Sequence, residues 1–225
     1  MNRKRITLNL SLLVFVFSFM FFFGTLGVSA KESTKPCFYQ KYYTEWLHKP
    51  PRIVGYVIKN SKSTDEVTAT SSDTSISEVE VHLGNSGEYD IIIKPKKAGT
   101  FTITAKIKRG SKTYTTKTTA FILKYKNPIK ILKIGNDKTN YAKLFAKEEG
   151  YRDGLTISGK KKITVTTQNG YKVTDIQIYY KNGKYKSIKS GETVNTKNMS
   201  ALAIQLVSTK NKNIKPFVYA YKDKS

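Results

Sequence analysis

Between Thr100 and Lys108 the chain alternates without a fault. Phe101, Ile103, Ala105 and Ile107 fall on one parity, and Thr100, Thr102, Thr104, Lys106 and Lys108 on the other. A period of two sustained this long describes a strand with one buried face and one wet face. Before it, Pro95-Lys96-Lys97-Ala98-Gly99 combines a ring that fixes φ with a glycine free to take positive φ, and after it Arg109-Gly110-Ser111 reads as a tight hairpin turn. Glu88 to Lys124 therefore predicts a meander of three strands. Such a meander cannot bury its apolar face alone and requires a second sheet against it.

The rest of the chain follows the same pattern in shorter pieces. Arg52 to Lys59 and Glu66 to Thr70 read as strands, and Val79, Val81 and Leu83 alternate with Glu78, Glu80 and His82 before Gly84-Asn85-Ser86-Gly87 turns the chain. His82 shares the wet parity with the two glutamates. Past Asn127-Pro128, Ile129 to Ile134 is apolar enough to suggest a strand covered on both faces, while Tyr141 to Lys147 suits either helix or strand, with Gly150 ending it. Five or more short strands then follow, and Asn169-Gly170, Asn182-Gly183 and Ser190-Gly191 carry hairpin turn chemistry. The expected fold is all-β: two tandem small β-sandwich modules, at 52–126 and 127–225, the second being a sandwich or small barrel. Residues 31–51, with Phe38, Tyr39, Tyr42, Tyr43, Trp46 and Leu47, form an aromatic lead-in. It reads as a short helix or an extended strand, and as a plug for a neighbouring core before a platform for sugars.

The N-terminus carries Arg3, Lys4 and Arg5, an apolar run from Ile6 to Phe23 and Val28-Ser29-Ala30. That order predicts a cleaved secretory signal peptide at 1–30, against an uncleaved anchor, and hence a secreted or loosely surface-associated chain with no membrane span after cleavage. Removing 30 of the 225 residues leaves 195, and removing three of the 40 basic residues leaves 37 against 16 acidic ones, a net charge of +21. Residues 31–126 hold +8 of it and residues 127–225 hold +13. An exported chain so basic is drawn to anionic polymers, such as wall polymers and acidic glycans, by an attraction that salt screens. The competing reading is a spacer protein whose lysines serve only solubility and keep strand edges from pairing. Lysine outnumbers arginine, which disfavours a bidentate phosphate reader and gives no expectation of a specific nucleic-acid partner.

Ser71-Ser72-Asp73-Thr74-Ser75-Ile76-Ser77-Glu78-Val79, then Ile93 to Ala105 with the Pro95 to Gly99 turn, then Tyr114-Thr115-Thr116-Lys117, resembles the bacterial immunoglobulin-like domain of group 2 over about residues 66–124. The resemblance implies a small β-sandwich used as a spacer or adhesion module, with no catalytic residue to carry over. Thr116 and Thr118 stand where that family places apolar residues, so the last strand is expected at a sheet edge or with its hydroxyls buried against backbone.

No constellation for catalysis is legible: no cofactor, metal or catalytic residue is expected, and the chain reads as a non-enzyme. Cys37 is the only cysteine, so no intrachain disulfide forms. Beside His48 or Gln40 it has no context for a nucleophile or thioester and reads as a plain thiol. Glu148, Glu149 and Asp153 could supply an acid and a base for an unrecognised hydrolase, but they read as a solvated loop. The best candidate ligand surface is the hairpin Lys172 to Ile188, with Tyr179, Tyr180, Lys181, Lys184, Tyr185 and Lys186, whose rings can stack on sugars while the ammonium groups meet anions. Ordinary cross-strand packing is the competing explanation. The function expected is therefore a non-catalytic surface or secreted binding and adhesion module.

Overall fold

The computed structural model describes residues 34–50 and 52–222. The signal-peptide expectation for 1–30 lies outside them. Among the described residues no helix is long and apolar enough to cross a membrane.

Eight strands build the first sandwich: β1 (Cys37–Phe38), β2 (Tyr42–Leu47), β3 (Val54–Lys59), β4 (Glu66–Ser71), β5 (Ser77–Leu83), β6 (Tyr89–Pro95), β7 (Gly99–Arg109) and β8 (Lys112–Lys124). They form one sheet in the order β1-β3-β6-β5 and a second in the order β2-β8-β7-β4. All neighbours are antiparallel except β2 and β8, which run parallel. The long alternation behaves as its period demands. Phe101, Ile103, Ala105 and Ile107 are buried, and they meet Tyr56, Ile58, Ile91 and Ile93 from the facing sheet in one apolar cluster. The core is thus made by two inner sheet faces.

The meander expectation is corrected. β6 and β7 lie in different sheets, so the turn at Pro95 to Gly99 carries the chain across the sandwich, and only β7 and β8 form the expected hairpin. The crossing is close: a Cβ on Gly99 would stand 2.5 Å from Ile76 Cδ1, well inside contact distance. The lead-in takes the extended form of its two expected readings and plugs a core. It supplies β1 to one sheet and β2 to the other, burying Phe38 and Trp46, so the first sandwich draws on residues ahead of 52. It also explains Thr116 and Thr118. β8 is no edge, because β2 covers it; Thr118 Oγ1 donates to the Gln40 carbonyl (3.0 Å), and Thr116 Oγ1 accepts from the Phe38 amide (3.2 Å).

The second sandwich contains β9 (Ile129–Ile134), a 3-10 helix (Tyr141–Phe145), β10 (Gly150–Leu155), β11 (Lys160–Thr167), β12 (Tyr171–Tyr180), β13 (Tyr185–Ile188), β14 (Thr193–Asn195), β15 (Met199–Ser208) and β16 (Phe217–Lys222). Its sheets are β14-β11-β9 and β10-β16-β15-β12-β13, with β10 parallel to β16. The first-strand segment again divides between the sheets and runs parallel to the last strand, so both modules share the immunoglobulin strand order. The ambiguous Tyr141 stretch is the 3-10 helix, capped by Asn140, whose side chain accepts from the Ala142 amide. Gly150 opens a strand instead of ending one, because the Tyr219 ring lies where its Cβ would stand. Of the three Gly turns, only Asn182-Gly183 closes a hairpin; the other two carry the chain between sheets. β9 is covered less completely than expected: Leu132 and Ile134 are buried, Ile131 is half-buried and Lys130 is exposed.

Truncating Phe101, 2 % exposed at the centre of the first core, to Ala should cost about 3–5 kcal/mol in denaturant unfolding, whereas Thr102→Ala on the wet face should stay within about 0.5 kcal/mol. Equal costs would mean that the two faces of β7 are assigned wrongly.

Candidate functional site

The five-stranded sheet of the second module places its outward residues by register. Tyr221 lies opposite Ala201, Ala201 opposite Tyr179, and Tyr179 opposite Tyr185, so one row crosses four strands of the outer face. The neighbouring row holds Tyr219, Ala203, Gln177 and Ser187. The alternate residues Ile176, Ile178, Leu202, Ile204, Val218 and Ala220 fill the core, which leaves the tyrosines outside. Rings meet along both flanks of the alanines. Tyr179 and Tyr185 stand 5.7 Å apart between centroids, Tyr219 and Tyr221 5.5 Å, and Phe217 and Tyr219 6.0 Å. Tyr185 (48 %) and Tyr221 (40 %) are among the most exposed large hydrophobic side chains of the described residues. A polar chain holds the hairpin side of the face: Tyr179 Oη donates to Gln177 Oε1 (2.6 Å), Gln177 Nε2 donates to Asp175 Oδ2 (2.8 Å) and Ser187 Oγ donates to the same oxygen (2.9 Å). Burial pushes the Tyr179 hydroxyl up to about 12, so it stays a donor at any physiological pH.

Among the described residues the Tyr221 row is the last of its face at that end of the sheet, and next to it, at Lys222, lies a cleft of about 490 Å³ lined by Lys181, Lys197 and Lys222 with Thr156, Ile157, Ser158 and Asn198. Lys222 Nζ donates to the carbonyls of Thr196 (3.1 Å) and Lys197 (2.8 Å), and the Lys181 amide donates to the Asn198 carbonyl (2.9 Å). These bonds tie the end of β16, the β12 turn and the loop before β15 into one cationic rim.

The six candidate residues of the hairpin are therefore not all together. Tyr179 and Tyr185 form part of the aromatic row, and Lys181 lines the cleft. Tyr180 packs partly against the core, Lys184 sits in the exposed turn, and Lys186 lies opposite Ile178, on the other face from Tyr185. What the sequence missed was the share of β16 and of the loops at 156–158 and 197–198. Phe217, Tyr219 and Tyr221 carried the signal, three aromatics on one parity, but the register that sets them beside Tyr179 is a long-range pairing.

A second cluster lies where the two modules meet. Trp46, 4 % exposed, donates its indole N–H to the Phe217 carbonyl (3.0 Å) and meets the Tyr125 ring edge-on at 5.1 Å. Arg52 forks across two carboxylates, Nη1 to Glu149 Oε1 (2.7 Å) and Nη2 to Glu148 Oε2 (2.6 Å), and His48 Nε2 lies 3.3 Å from Glu149 Oε1. The solvated-loop expectation is thus overturned for Glu149, which is 5 % exposed because Gly150 draws its backbone into β10; the Asp153 side chain lies outside the described residues. Burial alone would raise Glu149, but the hydrogen bond from His48 and the charges of His48 and Arg52 hold it below the usual glutamate range. Glu45 is the opposite case. Burial pushes it up to about 8, with the nearby Glu149 adding to the rise, while its long hydrogen bond from Tyr56 Oη (3.4 Å) acts the other way. Cys37 sits in β1 opposite Lys59, half-buried, with no catalytic partner around it among the described contacts.

No protein-family model matches the chain, and no curated protein matches it, so the group 2 bacterial immunoglobulin-like assignment is not shown. Solved structures with similar architecture include cadherin domains 1–5 of protocadherin gamma B2 (10 % identity, 85 % of this chain and 40 % of that one, TM-score 0.32). The surface-layer protein SbsC is another, in domains 5–6 (15 % identity, 84 % of this chain and 100 % of that one, TM-score 0.30). The D0-D1 domain of intimin is a third (11 % identity, 84 % and 98 %, TM-score 0.29). The chain spans 40 % of the protocadherin and 31 % of a longer SbsC structure, domains 4–9. At such scores the immunoglobulin-like class rests on strand order.

A raised carboxyl fixes the sign of one pH effect. Glu45 keeps its proton in the folded state up to about pH 8 but loses it near its ordinary value of 4.5 when unfolded, so the folded state binds more protons between those limits. Its contribution to stability should be full below pH 4.5 and fall until about pH 8. Urea midpoints of the wild type and Glu45→Gln, compared from pH 5 to 8.5, should show the variant declining less. Parallel curves would remove Glu45 as the cause.

Proposed function

We propose that the protein is a non-catalytic, two-module binding protein of the cell exterior that takes an acidic polysaccharide on its second module. The observation that supports this reading is the aromatic row ending at the lysine cleft. Tyr179, Tyr185 and Tyr221 offer ring faces on which the C–H faces of sugars stack, and Lys181, Lys197 and Lys222 offer ammonium groups to acidic substituents at the end of the same sheet. A polymer suits an open face better than a small molecule, which prefers a deeper enclosure. Export supports the outside location through the signal-like residues 1–30. The first module, whose exposed lysines pair across strands with Glu66, Glu78 and Glu80, acts as spacer and support.

The test is retention on immobilised heparin and on isolated bacterial wall, eluted with a salt gradient. Lys181→Glu with Lys197→Glu should shift elution to clearly lower salt, and Tyr185→Ala should weaken binding to a neutral-backbone acidic glycan roughly tenfold at fixed salt. Lys106→Glu with Lys117→Glu, on the wet face of the first module, should change far less. If both lysine pairs shift elution equally, the attraction is net charge alone and the site is rejected.

A further inference from the structure

We propose that His48, Glu148 and Glu149 form a binding site for one divalent metal ion of the zinc type at the junction of the two modules. One donor atom from each of the three lies within 4.8 Å of the others. One imidazole and two carboxylates are the donor set of zinc and its first-row neighbours, and not of the all-oxygen cages of calcium. Donors around one such ion span about 4 Å at most, so the cluster must tighten by something on the order of 1 Å.

A separate feature of Glu149 points to a missing partner. Its side chain is 6 % exposed, and while Oε1 meets both Arg52 and His48, Oε2 is buried without any hydrogen-bond partner. A buried carboxylate oxygen left unpaired costs on the order of 1–3 kcal/mol, more when charged, so native chains fill such positions with a donor, a water or an ion. The charges agree. Once His48 gives up its proton, as a metal-binding imidazole must, two glutamates face one guanidinium and the cluster carries one negative charge in excess. Arg52 now spans the two carboxylates as a cation would, and with a side chain 32 % exposed it has room to swing out when an ion enters.

The site lies between Trp46 and the start of β10, so an ion would tie His48 of the first module to Glu148 and Glu149 of the second. It is independent of the polysaccharide reading, which uses other residues: Tyr179, Tyr185 and Tyr221 and the lysine cleft. Stripped with a chelator and dialysed against Zn²⁺, the full chain should retain one ion per molecule by elemental analysis and unfold at a higher temperature. His48→Gln and Glu148→Gln, neither in a core, should each weaken binding at least tenfold, while His82→Gln leaves it unchanged. Arg52→Gln separates the proposal from a purely structural ion-pair knot: removing the competing cation should keep or tighten zinc binding. No retained zinc, zinc lost with His82→Gln in place of His48→Gln, or zinc lost with Arg52→Gln would each overturn the site. Stabilisation by Ca²⁺ with none by Zn²⁺ would overturn the ion class.

Discussion

A buried indole must satisfy its N–H, and at Trp46 the only acceptor it is given belongs to the other module. That requirement couples the first module directly to β16 of the second. The Trp46 N–H reaches the Phe217 carbonyl in β16, and its ring rests on Tyr125 in the connecting segment. Tyr125 in turn sets its hydroxyl within reach of the carbonyls of Phe145 (2.6 Å) and Glu148 (2.8 Å). Asn127 donates to Ala142 and accepts from Ile129, so the short connection is held at each step by side chains that answer backbone groups. An indole left without its acceptor would pay the desolvation of a buried donor. The junction is therefore specified by hydrogen bonding as much as by apolar area, and the ion cluster of His48, Arg52, Glu148 and Glu149 grows at its rim.

How much of this was readable depended on the range of the interaction. Parity within a strand is local, and the burial of Phe101 through Ile107 and the exposure of His82 follow from it directly. Which sheet a strand joins is not local. Pro95 to Gly99 has the same turn chemistry whether the next strand pairs with its predecessor or crosses to the facing sheet, and in the structure it crosses, with Gly99 close against Ile76. The lead-in was ambiguous for the same reason: Tyr42 to Leu47 becomes a strand because β8 offers it a parallel partner 77 positions on, as in the pairing of Tyr42 with Thr119. The candidate site split along this line. Tyr179 and Tyr185 are joined by a hairpin and were legible, whereas Tyr221 reaches them through the β15–β16 pairing and Lys197 joins the cleft through the Lys222 bond to its carbonyl, neither of which a spacing rule encodes. Glu149 misled because a glutamate in a charged run is ordinarily solvated, and here a parallel strand pulls it inside.

The distribution of charge separates the modules in a way that net charge does not. In the first, carboxylates spend themselves on lysines across the strands, as in the pairs of Glu80 with Lys94, Glu78 with Lys96 and Glu66 with Lys108. Those pairs are exposed and each contributes little to stability, but they lower the local field. In the second, Asp175 bonds Gln177 and Ser187, Asp137 bonds Tyr141 and the Thr139 amide, and Glu192 accepts the Lys189 amide. These acids serve turns and side-chain networks of neutral donors. Among the described residues the lysines of the second half thus form fewer ion pairs with its own acids, beside the larger excess that its sequence already carries.

That difference bears on why the aromatic row and the cationic cleft belong together. A flat run of tyrosines on a sheet stacks on sugars weakly and without regard to charge, while a cluster of lysines attracts anything anionic at long range. Neither selects alone. Set at one end of the same sheet, they match the ligand proposed above, one that carries both ring faces and negative charge, and the hydrogen bonds of Lys222 hold the 196–197 loop against the end of β16. Under that proposal the Trp46 junction, which ties the first module to the Phe217 carbonyl of β16, sets the direction in which the first module presents that face.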